Sequence, residues 1–439
     1  MSIKNILDIK QIPAPGSLCF SLFNIEPKWS NRLKVSKLDT ALFFIELVKI
    51  LARILLEFGH NIIYRLKSNI KNNVDVVFIL GSINHCAVFE MFSKYVNVSY
   101  DVWGKAAGKG AITPYEDISI NFRDILSLSS YLIQQYRGFN KAEKTIIHKR
   151  GYLVFVTYIR LIKYMIGLKD SDLKLLVVFN DHGSWYRSLV YAAKYCKIRT
   201  LYIPHASVSK LFPPLIFDYT FCEGVKTYNN YVHIGINSAK IELLGNVKFD
   251  NLKPLKNKGG VIRIGIAYNM SDNIAHLKKL INKIYTEILR KYSNNVFIFC
   301  IRPHPAQQES IKIERPYIEY SDPVTERSTK YLNSLNLLFS TDSNIALESL
   351  LMGVPVINIT SEHITNGDNY GFVEDGLINA GSTKLSYILD TYDKNYRDSF
   401  QISDSVRDKL KDYNCAIGTI NEGSVAPIIA SRIDELVNL

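Results

Sequence analysis

From Asp75 onward, short apolar runs rich in β-branched and aromatic residues alternate with longer helix-patterned segments, and the alternation runs through twice. In the first pass DVVFILG (75–81), KLLVVFND (174–181), IRTLYIPH (198–205), FDYTFCEG (217–224) and KIELLGN (240–246) read as strands. SWYRSLVYAAKYC and VKTYNNYVHIG read as helices among them. A break follows in DNLKPLKNKGG, where Pro254, the lysines and a glycine pair make 251–260 a linker. The second pass opens with VIRIGIAY (261–268), a helix near 274–292 and VFIFCIRPHP (296–305), and continues with a helix from Thr325, LNLLFST, a helix over 344–352 and PVINIT (355–360). VAPIIASRIDELVNL closes it as an amphipathic helix. Such alternation builds parallel sheets with helices on both faces, and those sheets bind ligands at the carboxyl ends of their strands. Two doubly wound α/β halves therefore place a cleft between two such edges.

At 439 residues the chain is too long for one ordinary core, and 47% hydrophobic with 21% charged residues is a globular composition. The division expected is a helical N-terminal region over 1–74, a first domain over 75–250, the linker, and a second domain over 261–439 that includes the final helix. Six scattered cysteines form no CxxC pair, which fits a reducing cytoplasm. MSIKNILDIKQIPAPG lacks the apolar core of a secretory signal. ALFFIELVKILARILLEF (41–58) carries Glu46, Lys49, Arg53 and Glu57 on one helical stripe, the pattern of an amphipathic helix able to lie on a membrane, not of a span. HKRGYLVFVTYIRLIKYMIGLK (148–169) reads as a core helix with a basic edge or as a second membrane-docking helix. The formal charge of +12 points to an anionic membrane surface or phosphorylated substrates; no helix-turn-helix, zinc finger or RNP-like motif favours nucleic acid.

Ser340, Thr341, Asp342 and Ser343 occupy the turn between the LNLLF strand and the helix that follows. Free N–H groups and the positive end of the helix dipole attract phosphate there, although Asp342 or Ser343 also fits an ordinary N-cap. Arg302, His304 and Pro305 end a strand at the same edge, with the histidine held between Pro303 and Pro305 and able to donate to a phosphoryl oxygen. Glu348, further along the same helix, reads as a solvated helix residue. Asp170-Ser171-Asp172 spells a metal motif but lies in a surface-like loop before a strand, so the reaction is expected to need no metal.

RPHP followed by STDSNIALESLLMGVPVI resembles the C-terminal half of GT-B glycosyltransferases of bacterial surface polysaccharide synthesis, especially the HP and paired-serine motifs of sialyl- and Kdo-type enzymes. CDP-glycerol phosphotransferases share a similar pair. The resemblance implies a GT-B fold of two Rossmann-like domains facing across a cleft, a cytidine nucleotide held by His304 and by hydroxyls of the later turn, and Glu348 as a donor-binding acid on the ribose. Thr341-Asp342 stands where the sialyl enzymes show adjacent serines. In the first half, Asp181, His182 and Gly183 resemble the acidic-residue-plus-glycine motif carrying the general base, with His182 replacing a second acid; PHAS resembles the QHG or WHG turn, with His205 near the reacting group.

The expectation is a glycosyltransferase moving a CMP-linked sugar onto a capsule, lipopolysaccharide or related glycan. Asp181 is the preferred base and His182 or His205 its substitute, with no cofactor beyond the donor and a peripheral place on the inner face of the cytoplasmic membrane. A CDP-glycerol or ribitol phosphotransferase with His205 as base, a sugar-nucleotide 2-epimerase, and a non-catalytic glycan-binding scaffold are the alternatives.

Overall fold

The computed structural model describes 46–54, 74–104, 122–139, 141–236, 239–250, 261–269, 272–291, 297–305, 310–359, 368–378 and 402–439, with isolated positions between. The expected linker and most of 1–74 lie outside the described residues.

The first sheet is built from β1 (Val76–Ile79), β2 (Tyr100–Trp103), β3 (Leu175–Val178), β4 (Arg199–Tyr202), β5 (Tyr219–Cys222) and β6 (Lys240–Leu243). All pairs are parallel, in the order β2-β1-β3-β4-β5-β6. β1 and β3 are buried along their whole length because helices cover both faces, which is why their sequences show no alternation. One face carries α1 (Ile83–Phe92). The other is covered by α2 (Phe122–Gly138), α3 (Lys141–Leu168) and α4 (Ser184–Tyr195), and α5 (Val225–Ile234) runs between β5 and β6. β2 was not anticipated: YDVW is short, and its first residue is exposed at the sheet edge.

The basic segment 148–169 belongs to α3. Its Ile147–Leu168 portion is long and apolar enough to cross a membrane, but it lies mostly buried against α4 and the first sheet, so the core reading describes it. Non-helical backbone at Arg150 breaks the helix, and Tyr152 donates its N–H to the buried Glu46 carboxylate at 2.9 Å. The helical residues 46–54 and 56 pack Ile50 and Ile54 against the core. Glu46 faces the protein, whereas Leu47, Val48, Leu51 and Leu56 are exposed.

The second sheet contains β7 (Ile262–Tyr268), β8 (Phe297–Pro303), β9 (Ile318–Tyr320), β10 (Leu337–Ser340) and β11 (Val356–Asn358) in the parallel order β11-β10-β7-β8-β9. α6 (Ile274–Lys291) buries Leu277, Ile281, Ile284 and Ile288 against one face. α7 (Ser328–Asn333) starts three residues later than its expected start at Thr325, and α8 (Ile345–Leu351) follows β10. Gly353, at φ 78°, turns the chain into β11, where a side chain would be strained.

After α9 (Asp404–Tyr413) the chain returns to the first domain. Cys415 N–H bonds to Glu223 O at 2.9 Å, and Asn246 N–H to Asn414 Oδ1 at 3.1 Å. The last helix, α10 (Val425–Asn438), buries Ile429, Ile433 and Leu436 in one cluster with Val76, Phe78 and Val88. It therefore covers the first sheet, not the second domain to which its sequence position assigned it. Period and polarity define an apolar face without naming the sheet that receives it.

Candidate functional site

Five strands of the first sheet each deliver an ionisable side chain to the same carboxyl edge. His85 follows β1, Asp181 and His182 follow β3, His205 follows β4, Glu223 follows β5 and Lys248 follows β6. The parallel arrangement forces this convergence, since every strand ends on the same side.

Asp181 is 1% exposed, and both of its carboxylate oxygens are engaged: Oδ1 lies 3.0 Å from His182 Nδ1, and Oδ2 accepts from Tyr231 Oη–H at 2.7 Å. A carboxylate enclosed in this way does not reach a substrate hydroxyl. The exposed partner is His182, whose side chain is 41% accessible. Asn180 folds the turn by accepting the N–H groups of His182 and Gly183, at 3.1 and 2.8 Å, through its Oδ1. Asp181, the preferred base of the sequence reading, is thus enclosed and holds His182.

His205 donates Nδ1–H to Phe179 O at 2.5 Å, which leaves Nε2 as the acceptor. Burial, with Lys248 nearby, pulls its pKa down to about 4. His85 sits edge-on to it with ring centroids 4.6 Å apart, accepts from Gly81 N–H at Nδ1, and is pushed by burial down to about 2. Both imidazoles are neutral near pH 7. Glu223 shows the opposite response: burial raises it to about 7, and its Oε1 is buried without a hydrogen-bond partner among the described residues.

The second domain meets this edge directly. Ser207 of the PHAS turn donates its N–H to Asn344 Oδ1, immediately before α8, at 3.0 Å, and Lys248 Nζ lies 3.8 Å from Glu348 Oε1. The 368–378 loop joins them, with Lys226 bonded to Asp375 and Lys210 to Glu374. The edges of the two sheets face each other.

Several residues expected at the phosphate do other work. Arg302 is buried, bonded to Ser321 Oγ at 2.5 Å and Glu326 O at 2.7 Å and lying over the Tyr331 ring. The arginine satisfies its donors by bracing the chain after β9. Ser340 bonds to Thr341 O, Thr341 to Asp272 Oδ2, and Asp342 accepts from Asn369 N–H and Nδ2, so these three buried side chains close the turn inward. Ser343 stays half-buried at the start of α8, and Glu348 is held by Ser328 Oγ at 2.7 Å as well as by Lys248. His304 is half-buried, with burial lowering its pKa, and Pro305 is exposed. β7 separates β8 from β10, so His304 and the Ser340–Ser343 turn stand two strand spacings apart, about 10 Å, and not on adjacent strands. Sequence reasoning missed His85 and Lys248. Their signal was position: each follows a strand end at the edge where the named motifs lie.

No family model and no curated sequence matches the chain. Among solved structures, the S. aureus MnaA–UDP complex matches with a TM-score of 0.52 at 14% identity over 83% of this chain and 97% of that one. UDP-GlcNAc 2-epimerase from Methanocaldococcus jannaschii matches at 0.51, with 13% identity over 82% and 99%. The wall teichoic acid polymerase TagF also matches at 0.51, with 12% identity over 90% and 98%. The chain has the GT-B fold. At these identities the likeness extends to architecture alone.

Proposed function

We propose that this GT-B chain is a glycosyltransferase that moves a sugar from a nucleotide-activated, CMP-linked donor onto a growing capsule, lipopolysaccharide or related surface glycan. The observation that carries the reading is the accessible His182 imidazole, backed by a buried carboxylate. In this reading His182 Nε2 takes the proton of the acceptor hydroxyl as the new glycosidic C–O bond forms. The bond from the anomeric carbon to the donor phosphate breaks, and the phosphate leaves with the electron pair. Lys248, His304 and Ser343 are the groups proposed to receive that charge. Lys248 supplies the cation, so turnover is expected to persist in EDTA.

A second reading is favoured by His205. Its Nδ1–H is fixed on Phe179 O, which leaves Nε2 as the acceptor nitrogen for a hydroxyl, an arrangement equally suited to a CDP-alditol phosphotransferase. We place the protein peripherally on the cytoplasmic membrane face, where the exposed Leu47, Val48 and Leu51 beside Lys49 would meet anionic lipid.

Thermal-shift measurement with CMP, CDP, UDP and GDP, followed by mass-spectrometric donor turnover, tests the proposal. CMP stabilisation, CMP-sugar turnover and loss of transfer in His182→Ala with nucleotide binding intact are the expected results. Lys248→Ala should weaken nucleotide binding. Turnover of CDP-glycerol that survives His182→Ala but not His205→Ala would select the second reading, and stabilisation by no nucleotide would refute both.

A further inference from the structure

Behind the exposed imidazole stands a buried hydrogen-bonded series that a proton-accepting role for His182 does not by itself require. Tyr231, on α5 and fully buried, donates to Asp181 Oδ2 at 2.7 Å, and Tyr202 on β4 hydrogen-bonds to Tyr231. Arg187 donates to the main-chain O of Asp181 at 2.8 Å, fixing the backbone of the same residue. The carboxylate therefore cannot rotate without stranding a phenol in an apolar core.

We infer that Tyr231 is a positioning residue: by holding Asp181 Oδ2 it turns Oδ1 onto His182 Nδ1, which locks the imidazole in its Nδ1–H tautomer and presents Nε2 as the proton acceptor.

Three features support the lock. Asn180 Nδ2 lies 3.3 Å from His182 Nε2, a donor placed where the Nδ1–H tautomer puts a lone pair, and an acceptor hydroxyl has to displace it before Nε2 can take a proton. A tyrosine that donates onward to a carboxylate can accept from the second tyrosine, and such a series polarises each bond in the same direction. Burial and the Asp181 charge hold Tyr231 far above the ordinary tyrosine range, and burial does the same for Tyr202, so both phenols remain donors wherever the protein is folded.

This inference rests on the reading of His182 as the base, but its first test needs no substrate. Long-range ¹⁵N–¹H spectra of histidine-labelled protein, with His182→Gln to assign the ring, report the tautomer directly. The wild-type ring is expected to be protonated at Nδ1, and Tyr231→Phe should give a mixture. Asp181→Asn is more incisive. If Tyr231 pins the amide oxygen, the amide NH₂ faces the ring and the tautomer switches to Nε2–H; if Tyr231 exerts no hold, the amide turns its oxygen to the ring and Nδ1–H persists. In turnover, Tyr231→Phe should lower kcat about 10- to 100-fold with donor KM within about twofold, and should shift the pH–rate profile.

An unchanged tautomer in Tyr231→Phe, or Nδ1–H persisting in Asp181→Asn, overturns the inference. Should Tyr231→Phe fail to fold, Asp181→Asn decides alone. Tautomer switching without turnover of any donor would leave the lock standing and remove the functional reading instead.

Discussion

The buried Glu223 carboxyl makes the clearest statement that a single residue contributes to this molecule's behaviour. Its pKa is raised from 4.5 to about 7 by burial, so the folded state binds a proton that the unfolded state has released between those values. Its contribution to stability is full below about pH 4.5 and is lost as pH rises through about 7. Glu223→Gln should therefore gain stability relative to wild type as pH goes from 5 to 8; parallel melting curves across that range would contradict the assignment. The buried histidines act with the opposite sign. His205 and His85, depressed to about 4 and about 2, contribute stability above the usual 6.5 that is lost as pH falls through those values. The residue scale also shows where motif reading reaches its limit. Asp181, His182 and His205 lie at the cleft-facing edge as the sequence suggested, because strand ends there are fixed by apolar runs that anyone can count. Asp181 is enclosed with Tyr231, fifty positions away in the chain, and no local pattern contains that contact.

At the scale of elements, α5 and α9 join backbone to backbone beside the site. A Cβ on Gly224, which precedes α5, would lie 2.3 Å from Asp412 O and 2.7 Å from Tyr413 C, both backbone atoms with little room to yield. Gly224 is extended at φ −170°, so the cost of a side chain there is steric. Gly224→Ala should destabilise by about 1–3 kcal/mol and loosen the 414–415 crossing, read out as a lower Tm and faster amide exchange at Cys415. An unchanged Tm would show that α9 is free to shift. The inward turn after β10 teaches a related lesson. Four small polar residues looked like an anion cradle, yet Ser340, Thr341 and one carboxylate oxygen of Asp342 bond within the turn or to the loops after β7 and β11, while Asp342 Oδ1 stays buried with no partner among the described residues.

For the whole molecule, α10 is the element that ties the two halves together. Ile433 is fully buried among side chains of the first sheet, though it is reached only after the chain has passed through the second domain. Ile433→Ala should cost about 2–5 kcal/mol, measured by urea unfolding, and the loss should appear in the transition of the first domain. Loss confined to the second domain would contradict the packing described. The architecture was largely legible in advance because repeated strand and helix periods over 75–360 leave few alternatives to two parallel sheets. The short edge strands β2 and β9 were not, since three or four half-exposed residues carry too little pattern.

By itself, then, the sequence determined two doubly wound sheets, their order along the chain and the edge at which polar residues gather, because apolar periodicity and strand direction are local properties. Tertiary structure alone decided that Arg302 braces a loop, that Asp181 stands behind His182, that Lys248 faces Glu348 and that the last helix returns to the first sheet. Those outcomes depend on which buried donor finds which acceptor across long separations in the chain, and that choice exists only once the core has closed around them.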